Sequence, residues 1–384
     1  MRRIDISEVS TIALGAAVLG TGGGGNPYPS RLALRRHIEL HGREPSLIDL
    51  QAVPDDALVV SVGMGGSPSV GIEKLLSESY ASEPVRKLEK VLGRDVDAVM
   101  PIEVGGTNSL LPLLAGAALD LPVIDADGMG RAFPTLDKTV FSIGGVSPFP
   151  MAVFDAHRDT LIFESDLARA YDGERIVRAA MVAMGGACAC ALYPMSGRQA
   201  KATAIPRTMT LALRIGEAIM SARRRNADPF EALLSEIHKH DSSTFGRILF
   251  DGKIVDLERD MVGGYNIGSG VLEGQEEFEG TLSFAFQNEF LYARRDGNLV
   301  AIVPDLIAFL DRETAEPITC ELLRYGHRVK VVGLGASPHL RTPAALKVCG
   351  PAAFGLADEY SPIEDLWAER ASAETPYATR SEEE

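Results

Sequence analysis

The sequence predicts an α/β protein of two domains: an N-terminal three-layer domain with a mainly parallel sheet, then a mixed α/β, β-rich C-terminal domain. Three observations predict it. The 384 residues exceed one ordinary domain. Early in the chain, short and nearly continuous apolar runs alternate with helical stretches, the pattern of a parallel sheet covered on both faces. From Phe245 onward, short β runs follow one another closely.

At the N-terminus, Arg2 and Arg3 before "TIALGAAVLG" imitate a leader peptide. Asp5 and Glu8 interrupt the basic region, and no small-x-small cleavage site precedes the glycines. A helix opened by a capping box and stopped at Gly20 is expected instead. "ALVVSV", "DAVMPIEV" and "PVIDAD" are the expected strands, over residues 57–62, 97–104 and 122–127. Helices are expected over 71–78, 83–92 and 109–118. A boundary near residues 155–170 divides the chain into domains 1–165 and 166–360, with a loose tail over 361–384.

In the second half, "IPRTMTLALRIGEAIMSARRR" reads as a helix, with Pro206 in its first turn and Arg223, Arg224 and Arg225 at its carboxyl end. Another helix starts at Asp228 or Pro229 and ends near His240. The β runs are "GRILFDGKIVDLER", "TLSFAFQNEFLYARR", "NLVAIV", "ITCELL" and "HRVKVVGLG". "RDGN" is a hairpin turn, because Asp-Gly tolerates positive φ.

The formal charge of −15 argues against a nucleic-acid partner, which wants a basic surface. No apolar run reaches membrane-spanning length. The four cysteines lack paired zinc spacing, so reduced thiols in a cytoplasm are expected. Homo-oligomerisation is compatible with the sequence.

The glycine-rich segments are the candidate ligand elements. "GTGGGGNP" places Gly20, Gly22 and Gly25 at dinucleotide-type spacing. That fingerprint must follow a strand and open a helix. Here it follows a helix and runs into Asn26-Pro27, so neither NAD nor FAD is expected. Gly22, Gly23, Gly24 and Gly25 remain candidate substrate-binding positions, since bare backbone N–H groups approach a ligand closely; a flexible tight turn explains them equally well. "GMGGSPSVG", "IEVGGTNS" and "VIDADGMGRAFP" each follow a strand. In an open parallel sheet such carboxyl ends share one edge, where ligands bind. Glu103, Asp125 and Asp127 are therefore the candidate catalytic carboxylates, and Asn108 and Arg131 the candidate substrate donors. A helix cap or an Asp–Arg bridge is the plain alternative for each carboxylate.

Asp125 and Asp127 share a face if their strand continues, and a divalent metal between them would relieve their repulsion. The N–H groups opening the helix after Gly105 would favour an anionic or carbonyl-rich ligand. Read as one strand, "LSFAFQNEFLY" points Leu282, Phe284, Phe286, Asn288, Phe290 and Tyr292 one way, and Glu289 the other unless a bulge breaks the alternation. Asn288 is the amide in that aromatic row and a further candidate substrate-binding residue, because a buried amide must find partners in the protein or in a ligand. His37 and His41, one helical turn apart, are set aside as a solvated face, and Cys188 and Cys190 as small buried residues. No serine elbow or Walker loop occurs.

Taken together, "VLGTGGGGNPY", "IEVGGTNS", "LPVIDADGMGRAFP", "FQNEFLY", "VPDLIAFLD" and "GPAAFG" resemble the S-methyl thiohydantoin desulfurase family, over residues 6–360. The resemblance implies two domains, a hydantoin-like or cyclic amide substrate, and a link to hydantoinase and oxoprolinase systems. It also implies an activity that replaces the methylthio group of a thiohydantoin ring by oxygen and releases methanethiol. In such a reaction water attacks the amidine-like ring carbon, a carboxylate takes its proton, and donors stabilise the developing charge. The alternative is a non-catalytic partner subunit or small-molecule sensor of such a system, with a pocket but no base.

Overall fold

In a computed structural model, the structure describes residues 1–67, 70, 76–165, 170–240 and 244–373. The first sheet has eight strands, in the order Arg2–Arg3, Ser46–Ile48, Val123–Ile124, Ala98–Pro101, Leu58–Gly66, Ala187–Ser196, Met151–Phe154 and Thr160–Phe163. The four from Ser46–Ile48 to Leu58–Gly66 are parallel, and the remaining pairings are antiparallel. Alternate residues face opposite layers, as the pleat requires. Val60, Val62 and Val99 pack with Leu34, Val85, Leu88, Leu110 and Leu114 of the helices Pro27–His41, Glu78–Leu92 and Gly106–Leu119. Val59 and Met100 belong to another cluster, which runs on into Leu306, Ala308 and Val332 of the second sheet.

The second sheet is antiparallel and seven-stranded, in the order Asn298–Ile302, Glu289–Arg295, Thr281–Gln287, Tyr265–Gly274, Gly246–Val262, Arg328–Leu334 and Leu306–Asp311. Phe250, Phe284, Phe286, Phe290 and Phe309 fill its core. The fold class is as the sequence predicts, but the first sheet does not end at residue 165. Ala187–Ser196 pairs with Leu58–Gly66 from Leu58 opposite Ser196 to Gly66 opposite Ala187. The small apolar residues of "ACACAL" suit a strand buried on both faces.

Several local expectations change. "LSFAFQNEFLY" is a hairpin rather than one strand: Phe286 stands opposite Phe290, and the chain reverses at Asn288, whose φ is +62°. Asparagine tolerates that left-handed region better than most residues. The aromatic row still meets, across the hairpin, with Phe290 rings 5.9 Å from Phe284 and 6.3 Å from Phe286. The "ITCELL" run forms a short 3-10 turn at Cys320–Leu322, not a strand. The tail expected to be loose over 361–384 contains the helix Ile363–Ala373. Its docking is polar at the start, where Ile363 N–H donates to Asp305 at 2.8 Å and Arg341 pairs with Glu364; Trp367 then packs on Phe245. Residues 71–75 of the helix expected at 71–78, and residues 374–384, lie outside the described residues. Asp296 and Gly297 make the expected hairpin turn, both at positive φ. No helix among the described residues is long and apolar enough to cross a membrane.

Candidate functional site

The carboxyl ends of the parallel strands open on a cavity of about 90 Å3, room for several water-sized spheres or one small ring. Gly63–Ser67 at the end of the strand Leu58–Gly66 line it, as do Glu103 and Asn108 after Ala98–Pro101, and Met129 and Phe133–Leu136 after Val123–Ile124. Asn288 and Glu289 reach it from the hairpin tip of the second sheet, and Glu174 and Arg178 from the helix Ala170–Ala183. Gly24 and Gly25 complete the wall.

Glu103 is held on both oxygens. Asn108 Nδ2–H donates to Oε1 at 2.6 Å, and the Phe133 N–H donates to Oε2 at 3.0 Å. Asn108 is itself fixed, its Oδ1 accepting from the Met64 N–H at 2.7 Å. Burial pushes the Glu103 carboxyl up to about 7, against those two donors, which favour its charged form. Glu289 is 3% exposed, and its Oε2 has no hydrogen-bond partner among the described residues. Burial, then the neighbouring Glu103 charge, holds its carboxyl well above the usual range, with Arg131 and Arg178 opposing. Glu174 accepts from Arg178 at 2.6 and 2.8 Å. Arg178 also donates through Nη2 to the Pro134 carbonyl at 2.7 Å, while its Nη1 has no hydrogen-bond partner among the described residues. The hydroxyls of Ser67 and Thr135 on the same wall likewise have no hydrogen-bond partner among the described residues.

Asp125, Asp127 and Arg131 stand elsewhere. Asp125 accepts from the Thr210 N–H at 2.9 Å and from the Thr210 hydroxyl, so it caps the helix Thr208–Arg224. Asp127 Oδ2 accepts from the N–H groups of Val104, Met129 and Gly130 at 2.7, 3.0 and 2.8 Å. Burial raises its carboxyl to about 6 in spite of them. The strand breaks between the two aspartates, and Ala126–Asp127 pairs instead with Ile205–Pro206. The carboxylates therefore do not converge on one metal or one substrate atom, and neither lines the cavity.

Arg131 is fully buried and serves the backbone, donating to the carbonyls of Ala132, Phe290, Pro304 and Asp305. It is a joint between the two sheets, not a wall of the cavity. Burial lowers it to about 10, opposed by the Glu289 charge.

The glycine run also has a different part. Gly24 and Gly25 carbonyls accept the Asn108 and Thr107 N–H groups at 3.2 and 3.3 Å, so the first turn of Gly106–Leu119 is capped rather than open to an anion. Thr21 and Gly22 carbonyls accept from the N–H groups of Phe290 and Cys320 in the second sheet's domain, both at 2.9 Å. Asn288 N–H donates to the Asn266 carbonyl and its Oδ1 accepts from the Asn266 N–H, so the protein itself satisfies the oxygen end of the side chain, which lies on the cavity wall. At Gly23 an added Cβ would stand 2.1 Å from Glu289 Oε1. Gly23→Ala is accordingly expected to displace Glu289 and to cost about 1–3 kcal/mol by overpacking. A thermal melt and a pocket-ligand titration on the same sample check it; an unchanged melt would mean that the Glu289 side chain moves freely.

Sequence reasoning missed Glu289, Glu174 and Arg178. For Glu289 the signal was present, since Asn288 is turn-prone and a reversal there carries the next residue to the tip. For Glu174 and Arg178, only the i,i+4 carboxylate–arginine spacing marks them, and it is common on solvated helices.

The comparisons with known proteins come to two findings and one absence. A solved X-ray crystal structure of a protein from Chromobacterium violaceum superposes with a TM-score of 0.75 at 22% identity, covering 94% of this chain and 100% of that one. At that identity it shows a shared fold. No curated protein matches the chain. Family models match residues 7–165 as the S-Me-THD-like N-terminal domain and 168–363 as the S-Me-THD-like C-terminal domain. Between them they span nearly all of the sequence, and so the chain belongs to the S-Me-THD-like family.

Proposed function

We infer that the chain is a hydrolase-like enzyme acting on a small cyclic amide or thioamide, an S-methyl thiohydantoin or hydantoin-like ring. Family membership supports the ring class. One observation carries the chemistry: Glu103 and Glu289 line the same small cavity in environments that separate their proton affinities. Such separation divides the roles of base and acid. Two donors favour Glu103 as carboxylate, whereas burial and the Glu103 charge favour the protonated form of Glu289.

In the proposed reaction Glu103 takes a proton from water as the water oxygen bonds to the ring carbon bearing the methylthio group. The C=N electrons move to nitrogen, which takes the Glu289 proton. Collapse breaks the C–S bond. The new hydroxyl returns its proton to Glu289 as it becomes a carbonyl, and the thiolate leaves as methanethiol with the proton from Glu103. Both carboxyls end as they began. Arg178 Nη1 and the Ser67 and Thr135 hydroxyls supply donors for ring oxygens or a substrate carboxylate.

The test is the purified full chain, without partners, given a 2-methylthio hydantoin, with methanethiol read by a thiol reagent. Turnover is expected to rise with pH as Glu103 ionises, half-way near pH 7, and to fall at higher pH as Glu289 loses its proton. Saturable binding with no turnover at any pH would leave a sensor or partner subunit. Neither binding nor turnover would remove the substrate class.

A further inference from the structure

The geometry points to a divalent-metal site of the zinc class, away from the cavity, formed by His37, His41 and Glu78. The two histidines lie one turn apart on the helix Pro27–His41 and so share a face. Glu78 opens the helix Glu78–Leu92. Its Oε2 lies 3.1 Å from His37 Nδ1 and 3.4 Å from His41 Nε2, and the three ligand atoms lie within 4.8 Å of one another. Ligands about 2.0–2.2 Å from a tetrahedral zinc ion stand roughly 3.3–3.5 Å apart. The two nitrogen–oxygen separations already approach two edges of that tetrahedron.

Two imidazoles and one carboxylate are a borderline-soft donor set that suits zinc better than calcium or magnesium, which take oxygen ligands. His37 is buried and fixes one corner, while His41 and Glu78 are half-exposed, so water reaches the remaining position. The rival arrangement is two imidazole N–H groups sharing one carboxylate oxygen. The residues stood apart in the sequence reading because no local spacing joins Glu78 to the histidine pair; only the packing of the two helices does. A bound ion would fasten the helix leaving the glycine run to the helix that follows the cavity strand Leu58–Gly66.

The test uses tag-free full-length protein and the metal alone. Equilibrium dialysis against zinc chloride should give one equivalent per chain. His41→Ala and Glu78→Gln, both at half-exposed positions, should keep the wild-type circular dichroism and each weaken binding at least about tenfold. Cobalt(II) should show the visible bands of a tetrahedral site, bleached by zinc. Zinc should raise the melting temperature of the wild type and not of His41→Ala. Sub-stoichiometric zinc in the wild type, or one equivalent held equally well by both variants, would overturn the site and leave the shared-carboxylate arrangement.

Discussion

Glu103→Gln is expected to lower turnover by roughly 10²–10⁴-fold, the usual cost of removing a proton-transfer group. The side chain keeps its shape, so the cavity keeps its outline. Glutamine cannot take a proton from water, and one of its two ends is now a donor. Asn108 and the Phe133 N–H both donate to Glu103, so one of them meets another donor, at a cost of about 1–3 kcal/mol. The chain should therefore fold, melt somewhat earlier and release almost no methanethiol. Turnover within a factor of a few of wild type, with the mutation verified, would take Glu103 out of the chemistry and leave it as the clamp that joins Asn108 to Phe133.

Arg131→Ala is expected to be the most damaging single change outside the cavity, costing about 3–5 kcal/mol, as when one member of a buried charge network is removed. Four carbonyls lose their donor at once, and Glu289 loses a compensating positive charge. Arg131→Lys should recover little, because a point charge cannot reproduce the planar spread of a guanidinium. Soluble yield and melting temperature read the effect. A variant with an unchanged melt but a raised KM would restore Arg131 to substrate binding.

The parallel strands, the shared edge and the two-domain division were legible because each rests on local pattern: apolar runs, glycine-rich exits, a change to short β runs. Glu103 and Asn108 were legible for the same reason, following a buried strand. Asp125 and Asp127 do not reach that edge because their strand is not continuous. The pairing that interrupts it comes from Ile205–Pro206, far along the chain. Glu289 was missed because strict alternation was carried through a residue whose backbone turns left-handed. The terminal helix escaped notice because its anchors, Asp305 and Phe245, are remote in sequence.

The strand Ala187–Ser196 has a consequence for biosynthesis. As the chain leaves the ribosome, Leu58–Gly66 can pair with Ala98–Pro101, but its other edge has no neighbour until Ala187–Ser196 emerges. Met151–Phe154, made in between, belongs beyond that gap. The nascent N-terminal part is therefore left with an unpaired, apolar sheet edge, an invitation to misassembly. Cutting the gene between the two family-model segments would leave that edge permanently open. A fragment that folds alone should instead extend past Arg224, taking in the missing strand, the Ile205–Pro206 pairing and the helix that Asp125 caps.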